Sequence, residues 1–142
     1  MKINLGRYKN NGSARTQKVQ IDKWDSWSAD HSMALIIAPL LKQLRDDTHG
    51  YPGEEGMTMA KWKKILDKMI WSFEQLNGDD NESQFYSGKI DWIETKLPNG
   101  NTECKKGPND TFKVDTKGLI KHNKKIQDGL NLFGKYFRNL WD

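Results

Sequence analysis

The residues best suited to bind a metal ion are two histidines at the ends of one helical segment. His31 and His49 both have aspartates close by in the sequence, and imidazole with carboxylate is a common ligand combination for metals. They are 18 residues apart, which is about 27 Å along an unbroken helix. Because that distance prevents them from sharing one ion, we predict no metal site and interpret His49 as a cation placed favourably at a helix C-terminus.

A second set of side chains could support hydrolysis. Asp67 and Glu74 are seven residues apart and lie on one face of a helix, and paired helical carboxylates hold Mg²⁺ in all-α nucleotide pyrophosphatases. No second helix supplies further acids at regular spacing. An ion pair with Lys63, four residues before Asp67, would explain the Asp67 carboxylate without a catalytic role. The chain has no glycine-rich phosphate loop and no nucleophile elbow. We therefore predict no catalytic residues and no cofactor, with a metal-dependent nucleotide hydrolase as a lesser alternative.

The remaining chemistry is that of cations interspersed with aromatic rings. Aromatic rings stack on bases and cations hold phosphates, so such a set favours an anionic ligand of the nucleotide type. The candidate ligand-binding residues are Lys42, Arg45, His49, Trp71, Lys135 and Arg138. The alternative is that the cations form a solvated face while the tryptophans fill the core.

Composition limits the class of protein. The chain has 142 residues, six tryptophans and a net charge of +4, which indicates one domain with a real core and a mild preference for anionic partners. Its single cysteine, Cys104, excludes an internal disulfide and suits a reducing cytosol. No apolar run reaches the roughly 20 residues of a membrane span, and residues 1–18 do not resemble a secretory signal. We expect no membrane partner and disfavour nucleic acid.

The first half of the chain predicts one strand and two helices. Residues 1–16 are interpreted as a flexible arm, or a short strand followed by a turn, before a single domain over 17–142. Alternation over 18–24 predicts a strand with Val19 and Ile21 inward. A helix over 29–46 follows, capped by Ser28 and kinked at Pro39. Its predicted apolar stripe consists of Met33, Ile36, Ile37, Leu40, Leu41 and Leu44.

A second helix is predicted over 59–77, between a Thr58 cap and a Gly78 stop. Its inward positions are Trp62, Ile65, Leu66, Met69, Ile70, Phe73 and Leu76. The Asn99-Gly100 pair is typical of a hairpin turn and joins strands near 89–96 and 102–105, and a short third strand is expected at 111–114.

The last helix begins at a Thr116 cap. Its inward positions are predicted to be Leu119, Ile126, Leu130, Phe133, Phe137 and Leu140, and burial of Trp141 is expected to hold the C-terminus. The predicted fold is mainly α (α+β), with a three-helix core and a small antiparallel β-sheet or hairpin.

Several segments together form a recognisable pattern. They are IDKWDSWSADH at 21–31, PLLKQL at 39–44 with THG at 48–50, LDKMIWSFE at 66–74 after Trp62, and GLNLFGKYF at 129–137 followed by LWD at 140–142. The chain resembles an uncharacterised family of small tailed-bacteriophage proteins, from which it departs in the glycine-rich loop after Gly50. The resemblance implies a viral protein made in the cytoplasm of a bacterial host, and it transfers no catalytic residue.

These observations lead to a ranked set of functions. The first is a non-catalytic counter-defence protein that sequesters a nucleotide-type immune signal, with a homo-oligomer left open. The second is a protein–protein interaction module that inhibits a host enzyme or serves in the virion, using exposed aromatics. The hydrolase comes third. A DNA-binding protein comes last, because no reading helix is evident.

Overall fold

The computed structural model describes residues 1–7, 14–78 and 81–141. Its α-helices in that part of the chain are α1 (Lys23–Trp27), α2 (Ala29–Asp47), α3 (Met59–Asn77) and α4 (Thr116–Tyr136). Its strands are β1 (Lys2–Leu5), β2 (Gln17–Gln20), β3 (Tyr86–Ser87), β4 (Trp92–Lys96), β5 (Thr102–Lys106) and β6 (Lys113–Val114). Short 3₁₀ turns occupy Ser83–Phe85 and Phe137–Asn139. The predicted mainly α, α+β class is confirmed, and none of the described helices is long and apolar enough to cross a membrane.

The core is built around α3, which packs against both α2 and α4. The predicted limits of this helix are confirmed, as is the cap at its start, where the Thr58 side chain accepts a hydrogen bond from the Lys61 amide. All seven predicted inward positions are buried or partly buried. The three- and four-residue spacing of large apolar side chains was therefore sufficient to define both the helix and its buried face.

The buried face of α2 agrees with the prediction only in part, because Leu41 is buried and Ile37 and Leu44 pack against the core, but other predicted positions are exposed. Ala34, Ala38 and Leu41 are buried against α3, whereas Met33 and Leu40 are more than half exposed. The reason is steric, because alanine allows a closer helix–helix approach than the larger side chains of the predicted stripe. Helix α2 therefore has apolar side chains on two faces, one in the core and one in water.

Helix α4 begins and ends differently from the prediction. Its N-cap is Asp115, whose carboxylate accepts from the Gly118 amide, and not Thr116. At the other end the α-helix stops at Tyr136 and tightens into the 3₁₀ turn, which rotates the following residues relative to the α-helical register. Tyr136 is buried, while Phe137 and Trp141 are exposed, so the predicted burial of these two aromatics was wrong.

The strands of the described segments form three separate antiparallel pairs, β1–β2, β3–β6 and β4–β5. The predicted β4–β5 hairpin is confirmed, with Gly100 in the left-handed region at φ +83°. The expected third strand is also present, but it pairs with the unpredicted β3 and not with the hairpin.

The N-terminal segment contains the strand named as one of its alternatives. Strand β1 pairs with β2, and Ile3 lies opposite Val19. Val19 and Ile21 are both more than half exposed, so their predicted inward orientation was wrong, and α1 was not predicted. Residues 8–13 lie outside the described residues, and the division into a flexible arm over 1–16 and a domain over 17–142 stays a prediction.

Candidate functional site

Two of the predicted ligand contacts are engaged in ion pairs between α2 and α3. Lys42 Nζ lies 2.5 Å from a Glu74 carboxylate oxygen. Arg45 lies 2.8 Å from Asp46 and 2.9 Å from Asp67, so Asp67 pairs across the helices with Arg45 and not with Lys63 as predicted. The hydrogen bonds that Arg45 donates to Asp46 and Asp67 raise the pKa of Arg45. These carboxylates already neutralise the cations that were expected to hold a phosphate.

Lys135 is similarly engaged on the other side of the molecule. Its ammonium donates to the Tyr136 hydroxyl at 2.8 Å and lies 3.3 Å from the Glu54 carboxylate. The Tyr136 hydroxyl in turn donates to Glu54 at 3.0 Å. The bonds to Tyr136 and Glu54 raise the pKa of Lys135. This network ties the end of α4 to the loop after α2, which is a structural role.

The three remaining predicted contacts occupy different environments. Trp71 is half-buried, with Lys125 Nζ 3.5 Å from the centroid of its ring, so one ring face is already covered. His49 is exposed just after α2, and Arg138 is exposed in the C-terminal 3₁₀ turn. Lys42 borders a cavity of 470 Å³ beside α2 and α3, and none of the other five predicted contacts lines that cavity. Lys42 and Arg45 thus both pair with carboxylates of α3. The structure does not bring the six predicted residues together in one pocket.

The described residues contain no group of three or more histidine, cysteine, aspartate or glutamate side chains placed to hold a metal ion. His31 is used in packing, because its Nδ1 lies 3.3 Å from the Leu76 carbonyl oxygen and so links α2 to α3. Cys104 is an exposed thiol on β5.

A cavity of 610 Å³ with a mixed polar and apolar lining lies between the end of α3, the segment after it and α4. Amide side chains dominate its polar lining, and the lining includes Gln75, Asn81, Asn123 and Gln127. His122 also borders it, and its Nε2 is buried without a hydrogen-bond partner in the described structure. Because no lysine or arginine among the described residues lines this cavity, it is poorly suited to a phosphate.

The most unusual surface lies at the N-terminal end of α2. Trp24 and Trp27 on α1 stack with ring centroids 5.5 Å apart, yet they are 65% and 78% exposed. Helix α1 contacts α2, and a cleft of 310 Å³ beside it is lined by Ile3, Leu35 and Ile36. We call the exposed Ile3, Val19, Trp24, Trp27, Leu35 and Ile36 the N-terminal apolar surface.

An ion pair fixes one edge of this surface. The amino group of Met1 lies 2.8 Å from the Asp25 carboxylate, which also accepts from the Asp22 amide at 2.7 Å. The hydrogen bond from the amino group lowers the pKa of Asp25, and the same bond raises the pKa of the amino group. This pair links the start of β1 to α1, beside the cleft that Ile3 shares with Leu35 and Ile36 of α2.

The exposure of this surface is marked, because Trp27 is the most exposed large apolar side chain of the described residues, at 78%. Sequence patterns missed this surface because alternation and helical spacing were assumed to direct every apolar residue inward.

No family model, no curated protein and no solved structure matches this chain. The resemblance to a tailed-bacteriophage family, and the host cytoplasm it implies, therefore stay predictions. The assignment of a site depends on the chemistry of the chain's own residues.

Proposed function

We propose that this protein is a non-catalytic interaction module that binds a protein partner through its N-terminal apolar surface. The observation that carries the proposal is the stacked Trp24–Trp27 pair, which stays largely in water although the chain has a buried core around α3. Contiguous exposed apolar patches on soluble proteins mark interaction sites, and tryptophan is among the residues most enriched at binding hot spots.

The energy available from this pair is large enough to matter. Covering both exposed rings would remove about 300 Å² from water, which is worth roughly 7 kcal/mol before the costs of association. Because the rings already stack on each other and α1 contacts α2, little side-chain entropy remains to be lost on binding. The N-terminal apolar surface thus has the composition and preorganisation of an interface core.

Sequestration of a nucleotide by the six predicted residues has less support. Lys42, Arg45 and Lys135 are each paired with carboxylates, and Trp71 is covered by Lys125. A phosphate would have to displace these carboxylates, and like-charge repulsion opposes its approach while they remain.

Affinity capture with matched variants tests the proposal. The bait is the full chain, in wild-type form, as Trp24→Gln/Trp27→Gln, and as the control Trp141→Gln. The control removes Trp141, which is 62% exposed and lies near Gly50, just after the C-terminal end of α2. We expect wild type and control to retain the same protein in a fixed stoichiometric ratio, whether a second copy or another chain, and the double variant to lose it.

Retention of that protein by the double variant would contradict the proposal. So would a wild-type chain that stays monomeric and retains no stoichiometric protein from the cells that naturally make it.

A further inference from the structure

Helix α3 carries its paired carboxylates on one side and three lysines along another. The carboxylates of Asp67 and Glu74 are paired with cations of α2. Lys61, Lys64 and Lys68 recur at intervals of three and four residues, which places their side chains along another side of the helix. Within residues 1–7, 14–78 and 81–141, no ion pair joins any of these three lysines to a carboxylate.

These lysines line a concave site. A cavity of 390 Å³ is bordered by the three lysines, by Ile65 and by the turn that contains Glu55, Gly56 and Met57. Its volume lies within the range of small-molecule sites. Among the described residues that line it, Glu55 is the only carboxylate beside three lysines, so this lining has a net positive charge.

One of the three ammonium groups is held in position by the turn. Lys61 Nζ donates to the Gly56 carbonyl oxygen at 2.6 Å, and the Met57 amide closes the turn on the Glu54 carbonyl at 3.0 Å. Gly56 adopts φ +72°, a left-handed conformation that glycine tolerates without strain. Since an ammonium has three donors, Lys61 keeps two for a ligand while its position is fixed.

We propose that the groove of Lys61, Lys64 and Lys68 binds a small molecule carrying two or more phosphate groups. A fixed ammonium and two adjacent lysines can each donate to phosphate oxygens, and charge-assisted hydrogen bonds are the strong ones. Ile65 and Met57 supply an apolar wall for a non-phosphate portion. This site differs from the six residues suggested by the sequence, and it is independent of the N-terminal apolar surface.

Titration calorimetry with inorganic pyrophosphate at low ionic strength tests this site. We expect saturable binding by the wild-type chain and at least a tenfold weaker affinity, about one charge-assisted contact, for Lys64→Gln/Lys68→Gln. The charge-matched control is Lys96→Gln/Lys113→Gln, whose lysines lie on exposed strands away from the groove. The control should bind like wild type.

Either of two results would overturn the proposal. One is the absence of saturable pyrophosphate binding by the wild-type chain, and the other is an equal loss in the control, which would indicate attraction to net charge alone. Lys64→Arg/Lys68→Arg keeps both charges and should retain affinity, which separates a local loss of binding from a loss of folding. None of these results depends on whether the N-terminal apolar surface binds a protein.

Discussion

Replacing Gly129 with alanine should destabilise the protein, because α3 leaves no room for a Cβ atom at this position of α4. Gly129 is buried. A Cβ atom placed there would lie 2.0 Å from Ser72 Oγ and 2.6 Å from the Lys68 carbonyl oxygen, whereas ordinary contacts begin at 3.4 Å. The hydroxyl can rotate away, but the carbonyl belongs to the backbone of α3, so the helices themselves must separate.

Two opposing effects set the size of the change. Alanine has the higher helix propensity, which favours the variant by about 1 kcal/mol. Overpacking of a close contact costs about 1–3 kcal/mol, and separation of α3 from α4 would also loosen the Trp62–Tyr136 contact, whose ring centroids are 5.3 Å apart. We expect a net loss of about 1–2 kcal/mol in the free energy of unfolding and a fall of roughly 3–8 °C in Tm.

Urea and thermal unfolding followed by circular dichroism measure this loss. The matched control is Gly134→Ala on the same helix, where nothing lies within 4 Å of an added Cβ. This variant should gain up to about 1 kcal/mol from helix propensity. Adding Ser72→Ala to the Gly129 variant should restore part of the stability, because it removes the nearest clashing atom. Equal stability of the Gly129 and Gly134 variants would refute the close-packed α3–α4 contact.

Three further pairs of measurements test the fold. Trp62→Ala should lower the free energy of unfolding by about 3–5 kcal/mol, since Trp62 is 1% exposed. Trp24→Ala should lower it by less than about 0.5 kcal/mol. Urea unfolding measures both changes. Asp115→Ala should cost about 1 kcal/mol and Thr116→Ala much less, and the reverse order would contradict the observed cap. The lowered pKa of Asp25 means that its carboxylate stabilises the folded state above the ordinary value of 3.8, and that this stability is lost as the pH falls through the lowered pKa. The stability of Asp25→Asn should therefore fall less than that of wild type between about pH 5 and about pH 2, as measured by acid titration.

Local sequence information was enough to predict an element whose limits and buried face are determined by its own residues. Helix α3 has a cap, a strict apolar spacing and a glycine just after its end, and all three agree with the structure. The Asn99-Gly100 turn likewise determines its hairpin, because a positive φ at Gly100 is needed to reverse the chain. These features depend on neighbours within a few residues.

The errors arose where tertiary packing chose between local alternatives. Helix α2 has two apolar faces, and spacing alone does not indicate that Ala38 is buried while Leu40 stays in water. The predicted burial of Phe137 was wrong because α4 changes to a 3₁₀ turn after Tyr136, which altered the direction of the Phe137 side chain.

The predicted ligand-binding site stays a prediction, and the sequence did not indicate the ion pairs in which its residues take part. Whether Arg45 is available for a ligand depends on Asp67, which is 22 residues away in sequence but 2.9 Å away in space. Nothing in the local pattern around Arg45 reports that contact, since it forms only when α2 docks on α3. The three lysines of the proposed phosphate site, in contrast, share one helix and were visible in the sequence, but the turn that makes the groove concave was not.

The central claim is that the N-terminal apolar surface binds a protein, and native mass spectrometry of the chain purified from its natural source tests it most directly. We predict a complex whose mass exceeds that of one chain by that of a whole protein, a second copy or another polypeptide. We also predict that the complex is lost in Trp24→Gln/Trp27→Gln and kept in Trp141→Gln. A wild-type monomer that carries no protein partner, or a complex that survives the double substitution, would contradict the account.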